Sequence, residues 1–578
     1  MSLNKAVMLL KIIFILTAAT SIQGKVYHPS YIDEASTFAS SSEYDYIVIG
    51  GGTAGCPLAA TLSQKYKVLL LERGGSPYGN PNVTQMQNFH ISLMDTSPDS
   101  PSQPFVSTDG VINARARVLG GGTCINAGFY SRASPSFVKS VGWQEDFVND
   151  SYRWIERQIV HCPNLAPWQA AVRDGLLMAG VSPFNGYTYD HVYGTKVGGT
   201  IFDKSGYRST AADLLSAANH TNLRVLLRAT VLKIRFDQSG SRPKAVGVLF
   251  KDENGNHHLA SLNVGEGKSQ VIISAGAIGS PQLLMLSGIG PKSHLKAKKV
   301  PVVLHNKFVG KGMADNPLNS IFIPTKKQVK QSLIQIVGIT KYGSYIEASS
   351  GFSQSSKSIS YHHGIMSAEA GQLATIPPKE RSFEAISSYI EKKVKKKIPI
   401  EAFRGGFILS KIAGPNSKGH LKLIDTNIDN NPEVTFNYFS DPFDLHRCVK
   451  GIETIAKMVH TSHLLNLTND DDYSMKMLLN ISVDANINFI PKHFNDTSSL
   501  EQFCKDTVIT IWHYHGGCQV GKVVDSDYKL LGVDGAMVVD GSTFLKSPGT
   551  NPQATVLMMG RYVGVKILRE RLGSEAGV

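Results

Sequence analysis

Apolar residues in the first third of the chain fall in short unbroken runs rather than in alternation. Residues 44–50 read YDYIVIG and residues 67–72 read KVLLLE. Runs this short and continuous predict strands buried on both faces, the habit of a parallel sheet. Between them stand GGGTAG at 50–55 and a helical stretch over 56–64, which completes a βαβ unit. Apolar runs recur at 223–227, 231–236 and 245–250, and a DENGN turn follows at 252–256; together they predict a hairpin layer beside the parallel sheet. Residues 270–274 (QVIIS) predict another buried strand, leading to a helix that begins near Ser280 and Pro281. A last periodic stretch runs to Ile567, and Asn551 before Pro552 reads as its N-cap, with proline in the first turn. Residues 321–503 mix alternating and helical patterns in a Ser-, Lys- and Asn-rich background and are read as mainly a substrate-facing domain. No internal repeat and no Pro-rich or Gly/Ser-rich linker separates independent modules.

The first residues read differently. Lys5 precedes an apolar stretch over 6–19 that Lys11 interrupts, and small residues follow through Ser21 to Gly24. This pattern predicts a secretory signal peptide over residues 1–24, cleaved near Gly24. Its apolar part is too short to span a bilayer core of about 30 Å. Six Asn-x-Ser/Thr sequons, at Asn82, Asn149, Asn219, Asn466, Asn480 and Asn495, are compatible with a secreted or extracellular glycoprotein.

Composition narrows the class. A chain of 578 residues, 42% hydrophobic and 18% charged, is too long for one ordinary core and too apolar for disorder, so two domains are expected. The net charge of +13 is spread along the chain, apart from EKKVKKK at 391–397, which reads as a solvated helix face. No focused basic face accompanies a stacking motif, so nucleic acid is not the expected partner. Six cysteines cannot build a disulfide scaffold, and none has zinc spacing. Cys56 and Cys124, inside glycine-rich turns, read as small buried thiols; Cys448 and Cys504, in polar helical segments, could pair across a long loop in an oxidising compartment.

The glycine cluster carries chemistry because of where it sits. Gly50 permits a tight turn after the strand, Gly52 lets backbone approach a pyrophosphate, and Gly55 lets the helix pack against the strand. Thr53 and Ala54 open the helix, whose N-terminus favours phosphate charge. Glu72, at the end of the next strand, stands where an acidic side chain accepts the ribose hydroxyls of an adenosine.

Three further segments resemble the glucose-methanol-choline (GMC) flavoprotein oxidoreductases. RVLGGGTCINAGFY at 117–130 is similar to that family's first signature and GAIGSPQLLMLSGIG at 276–290 to its second. WHYHGGC at 512–518, VVDG at 538–541 and TNPQ at 550–553 resemble its C-terminal segments. Within the family the wording resembles the plant branch of HOTHEAD-like proteins and mandelonitrile lyases, and VGIT at 337–340 with SYIEASSG at 344–351 lies closer to the HOTHEAD side. The resemblance implies an α/β (α+β) fold, with a Rossmann-like FAD-binding domain of discontinuous segments and a substrate domain holding a mixed or antiparallel sheet and helices. It divides the chain into a mainly FAD-binding part, residues 40–320 and 525–578 with substrate-domain insertions around 130–220, and a mainly substrate-binding part, residues 321–524. It implies FAD held without a covalent bond, with Gly50, Gly52, Thr53, Ala54, Gly55, Glu72 and Arg73 at the ADP half. It sets Val118, Thr123, Asn126, Ala127 and Gly128 along the flavin, Val231 at the adenine, Asp540 and Gly541 near the pyrophosphate and ribityl chain, and Trp512, His513, Asn551, Pro552 and Gln553 at the flavin. It also implies a Cys448–Cys504 disulfide, since the plant lyases have a bridge at the matching positions.

Oxidising an alcohol at a flavin needs a base for the hydroxyl proton, and a histidine with an ordinary pKa of about 6.5 suits that task. His513 matches the family's catalytic position; His515 is expected to point elsewhere. The two histidines lack a third ligand at useful spacing, so no metal is expected. The partner position is Asn551, which cannot exchange a proton but can donate to a substrate oxygen and accept from another group. The expected reaction is FAD-dependent oxidation of an apolar or hydroxy-fatty-acid-like alcohol by a monomer with no stable membrane span. The alternative is a hydroxynitrile lyase with structural FAD. The lyases resemble one another in a second histidine, where this chain has Asn551, and in a tyrosine, where it has Ile511; both departures favour redox chemistry.

Overall fold

The computed structural model describes residues 29–573 except 40–41, 96, 264, 266, 326–328, 352–404, 468–473 and 486–498. The expected signal peptide, the basic cluster at 391–397 and the sequon at Asn495 lie outside the described residues. The continuous apolar runs form a six-stranded, wholly parallel sheet in the order Ile32–Glu34, Leu223–Leu227, Val68–Leu71, Tyr46–Ile49, Gln270–Ile273, Ala536–Val538. Its two central strands are buried throughout, so each Val, Leu or Ile contributes about 1.5–3 kcal/mol of transfer free energy. The helix Gly55–Leu62 packs on them, and the long C-terminal helix Gln553–Leu572 packs on that helix.

A second sheet covers the parallel one. It orders Thr230–Asp237, Lys244–Lys251, His257–Leu262 and Glu43–Tyr44, with the predicted 252–256 turn joining its second and third strands. Three local expectations are corrected here. The run 223–227 belongs to the parallel sheet rather than to the hairpin layer, because it is sandwiched between two parallel neighbours. The helix expected from Ser280 spans Gly276–Leu286, because a distant carboxylate, Asp540, accepts the Gly276 N–H at 2.9 Å and so caps an earlier start. Asn551 makes no cap bond: Pro552 precedes a helix that begins at Gln553.

The remaining large sheet has seven strands in the order Ile509–Thr510, Pro317–Pro324, Gly405–Ile412, Ser344–Ser350, Ile336–Ile339, Gly194–Val197, Phe184–Tyr187. All its pairs are antiparallel but the last. The helix Pro442–Val459 packs on two of these strands and is joined to the short helix Leu500–Asp506 by the Cys448–Cys504 disulfide. Cys56 and Cys124 are buried free thiols, as their turns suggest. No helix among the described residues is long and apolar enough to cross a membrane.

The bridge closes a loop with a sequence separation of 56, which in the chain-entropy picture stabilises by about 4 kcal/mol. Non-reducing peptide mapping is expected to recover the linked pair. The Cys448→Ser/Cys504→Ser double variant should unfold at a lower denaturant midpoint by roughly that free energy.

Candidate functional site

A cavity of about 320 Å³ opens where the parallel strands end, beyond Ile49, Leu71 and the residue after Ile273, and it reaches the edge of the seven-stranded sheet. The carboxyl edge of a parallel sheet is where such folds bind dinucleotides. Gly50 has φ +101, and a Cβ there would lie 2.4 Å from the Ser274 carbonyl oxygen; one at Gly55 would lie 1.9 Å from the Gly50 oxygen. Only glycine lets strand, turn and helix approach so closely.

The cavity is lined by Gly50, Gly52, Thr53, Ala54, Glu72, Arg73, Val118, Asn126, Ala127, Gly128, Val231, Trp512, His513, Asp540, Gly541, Asn551, Pro552 and Gln553. Of the expected residues, Gly55 and Thr123 stand behind the wall. The Thr123 hydroxyl donates to the Gly120 carbonyl at 2.6 Å and accepts the Ala211 N–H at 2.8 Å. Glu72 accepts the Gly51 and Gly74 N–H groups, one on each carboxylate oxygen, which fixes it at the turn with lone pairs to spare. Asn126 ties the first signature to the last helix: its amide donates to Gln553 Oε1 at 2.8 Å, and Gln553 donates in turn to the Phe129 carbonyl at 2.5 Å.

Arg115 also lines the cavity and is a contact the sequence reading missed. It is buried, it donates to Gln103 and Gln282 through Nε and a terminal nitrogen, and its other terminal nitrogen has no partner among the described residues. Arg73 nearby donates to Gln103 and the Ala116 carbonyl, so both guanidinium groups are held by neutral oxygens. Burial and the mutual repulsion of these cations lower the Arg115 pKa. A buried cation with an orphaned donor on a cavity wall fits an anionic dinucleotide.

At the other end stands His513. Its backbone N–H donates to Asp315 Oδ1 at 2.9 Å, and Asp315 Oδ2 accepts the hydroxyls of Tyr438 at 2.5 Å and Thr510 at 2.6 Å. Burial pushes the Asp315 pKa up to about 7. Asn316 Nδ2 and the Tyr345 hydroxyl lie 3.2 Å and 3.3 Å from His513 Nδ1. Burial first, then the Lys411 cation and His515, hold His513 well below its ordinary value, so the imidazole is neutral. Lys411 is itself paired with Glu347, both wholly buried.

His515 turns its Nδ1 to the His513 carbonyl at 3.0 Å and does not line the cavity. On a regular strand residues two apart share a face; residues 513–515 lie outside any strand, between Trp512 at φ +58 and Gly516 at φ +88, and the two rings part. A bulky residue in the left-handed region costs about 1–3 kcal/mol, a strain that clusters at active sites and ligand clamps. Asn551 is half-buried and lines the cavity; its amide nitrogen is turned to Glu347, and its amide oxygen is buried without a partner among the described residues. Phe129, Ile334 and Ile511 complete an apolar surround. No group of three potential metal ligands occurs among the described residues.

The family model described as GMC oxidoreductase matches residues 44–318 and 415–560. The chain belongs to the GMC oxidoreductase family. Its cofactor is FAD, and it is an FAD-dependent oxidoreductase. The chain is 61% identical to Protein HOTHEAD of Arabidopsis thaliana, covering 96% of this chain and 94% of the relative. It is 42% identical to sinalpyl alcohol oxidase Nec3 of Nesocodon mauritianus over 94% of this chain and 92% of the relative. With (R)-mandelonitrile lyase 1 of Prunus serotina it shares 39% over 99% and 95%. Among solved structures, pyridoxine 4-oxidase from Mesorbium loti superposes with a TM-score of 0.70 at 20% identity, covering 90% of this chain and 98% of that one. A fungal aryl-alcohol oxidase does so with 0.65 at 16%, covering 93% and 100%. These two likenesses establish the shared fold.

The first-signature turn, residues 120–126, holds neither a histidine nor a tyrosine to link a flavin, so acid precipitation of the purified protein is expected to leave yellow flavin in the supernatant. Arg115→Met should weaken FAD retention by about 10- to 100-fold in Kd, the worth of one hydrogen bond to a charged group. Titration of apoprotein with FAD measures it.

Proposed function

We propose that the chain oxidises the alcohol group of an apolar, hydroxy-fatty-acid-like substrate, with His513 as the base. When bound, FAD supplies the two-electron acceptor for the carbinol hydride. His513 takes the hydroxyl proton, and the Asn551 amide, with one N–H turned to Glu347, orients the alcohol oxygen by donating its other N–H to it. The observation that carries this reading is a neutral imidazole on the wall of an otherwise apolar end of the cavity, with Asn551 on the same wall. The charged side chains that line the cavity, Glu72, Arg73, Arg115 and Asp540, belong to the segments assigned to the dinucleotide, so the substrate end favours an uncharged carbinol carbon. The name of the alcohol oxidase relative agrees with redox chemistry. Asn551 in place of a second histidine speaks against the lyase arrangement, which needs a cationic surround for departing cyanide.

The same reading puts the substrate against the seven-stranded sheet and the chain in the secretory pathway. The Cys448–Cys504 disulfide and the exposed sequon at Asn466 support that compartment.

His513→Ala is expected to slow anaerobic flavin bleaching by about 10²- to 10⁴-fold with FAD still bound. Because His513 sits well below 6.5, its neutral, proton-accepting form persists as the pH falls past that value; the bleaching rate should therefore hold its plateau there. A panel of primary and secondary alcohols, ω-hydroxy fatty acids, benzyl alcohol and mandelonitrile tests the whole reading. Cleavage of mandelonitrile with no spectral change, and no bleaching by any alcohol, would overturn it.

A further inference from the structure

A neutral imidazole carries its proton on one nitrogen and accepts on the other. A base that receives a proton at Nε2 therefore needs its own proton on Nδ1. At His513 two groups compete for Nδ1. The Asn316 amide, 3.2 Å away, can only donate to it and so favours a bare Nδ1. The Tyr345 hydroxyl, 3.3 Å away, already gives its proton to the Thr550 carbonyl at 2.8 Å and so offers Nδ1 only an acceptor.

The neighbours resolve the competition. Asn316 Oδ1 accepts the Gly414 N–H at 3.1 Å, which fixes the amide with its nitrogen towards the ring. One of its two hydrogens has the Ser547 hydroxyl at 3.2 Å, and the phenol oxygen is within reach of the other. The amide thus has acceptors besides Nδ1. The phenol proton is committed to Thr550, and a bare Nδ1 would then face a phenol lone pair in a buried setting, where opposed acceptors are costly. With the proton on Nδ1, each group has a partner.

We propose that Tyr345 is a positioning residue that keeps the proton of His513 on Nδ1 and so presents Nε2 to the cavity as the accepting atom. After proton transfer the same Nδ1–H continues to donate to the phenol oxygen, so the contact also steadies the imidazolium. Tyr345 is placed by the sheet: it lies opposite Lys411 on the neighbouring strand, whose ammonium stands 5.7 Å from its ring centre and pairs with Glu347. Asp315 and His515 are further titratable groups beside His513 among the described residues.

This inference rests on His513 being the base. Tyr345→Phe keeps the ring and removes only the acceptor. It is expected to slow anaerobic flavin reduction about 10- to 100-fold at unchanged FAD content, short of the roughly 10⁴-fold loss when a catalytic histidine is held in the wrong tautomer. It should also move the acid limb of the rate profile to lower pH, since the imidazolium loses an acceptor. In the Tyr345→Phe/Asn316→Asp double variant the new carboxylate can accept the Nδ1 proton while still accepting from Gly414, so the rate should recover. Wild-type reduction by Tyr345→Phe would overturn the assignment, as would an FAD-loaded double variant no faster than the single one. Undiminished reduction by His513→Ala would instead bring down the base reading itself.

Discussion

One buried carboxylate holds the floor of the cavity together. Asp540 accepts the Gly276 N–H and the Ser280 hydroxyl on one oxygen and the Ser542 N–H on the other. It therefore caps the helix Gly276–Leu286 and orders the turn Gly541–Thr543 at the same time. The strand Ala536–Val538 that leads to Asp540 is the last of the parallel sheet. Without that carboxylate two helical starts would keep unsatisfied donors against the dinucleotide wall. Burial alone would push the Asp540 pKa up, and these donors offset part of that penalty.

Asp315 does for the chemical end what Asp540 does for the floor. Its oxygens gather the His513 backbone and two hydroxyls from separate segments, so the strained turn at Trp512 is held from the start of the neighbouring strand Pro317–Pro324. Strain at a candidate active site persists only where the surroundings over-determine it. Here the seven-stranded sheet supplies those surroundings, through Asp315 at the entry to one strand and Tyr345 on another. His513, the base of the proposed reaction, is thus mounted at the seven-stranded sheet, while the glycine turns sit on the parallel one.

The two ends differ in electrostatic character for a physical reason. A dinucleotide brings negative charge, and its wall carries Arg73 and Arg115 with a spare donor. Hydride removal from a carbinol needs a neutral base, and the ring stands in a buried, mostly apolar setting that disfavours its cation. Lys411 adds to that effect, while Glu347 tempers it by pairing with the lysine. The neutral ring is therefore a product of burial and not of residue type alone.

The sequence by itself determined what depends on residues close together in the chain. The βαβ unit and its glycine turn were legible because strand period, turn residues and helix start follow one another over residues 44–72. Residue types at signature positions then pointed to FAD and to His513 and Asn551. The tertiary structure decided what depends on groups far apart. Whether Asn551 caps its helix or faces a cavity is invisible locally, since Asn before Pro suits both. Tyr345 and Asn316 reach His513 across 168 and 197 residues, and Asp540 reaches Gly276 across 264. No periodicity marks such pairs, because the pattern of a strand records only which face is buried, and not which distant donor lies against it. Arg115 escaped notice for the same reason: in sequence it is a polar residue in a short strand, and only packing removes it from water and sets it on the cavity wall with one nitrogen unpaired among the described residues.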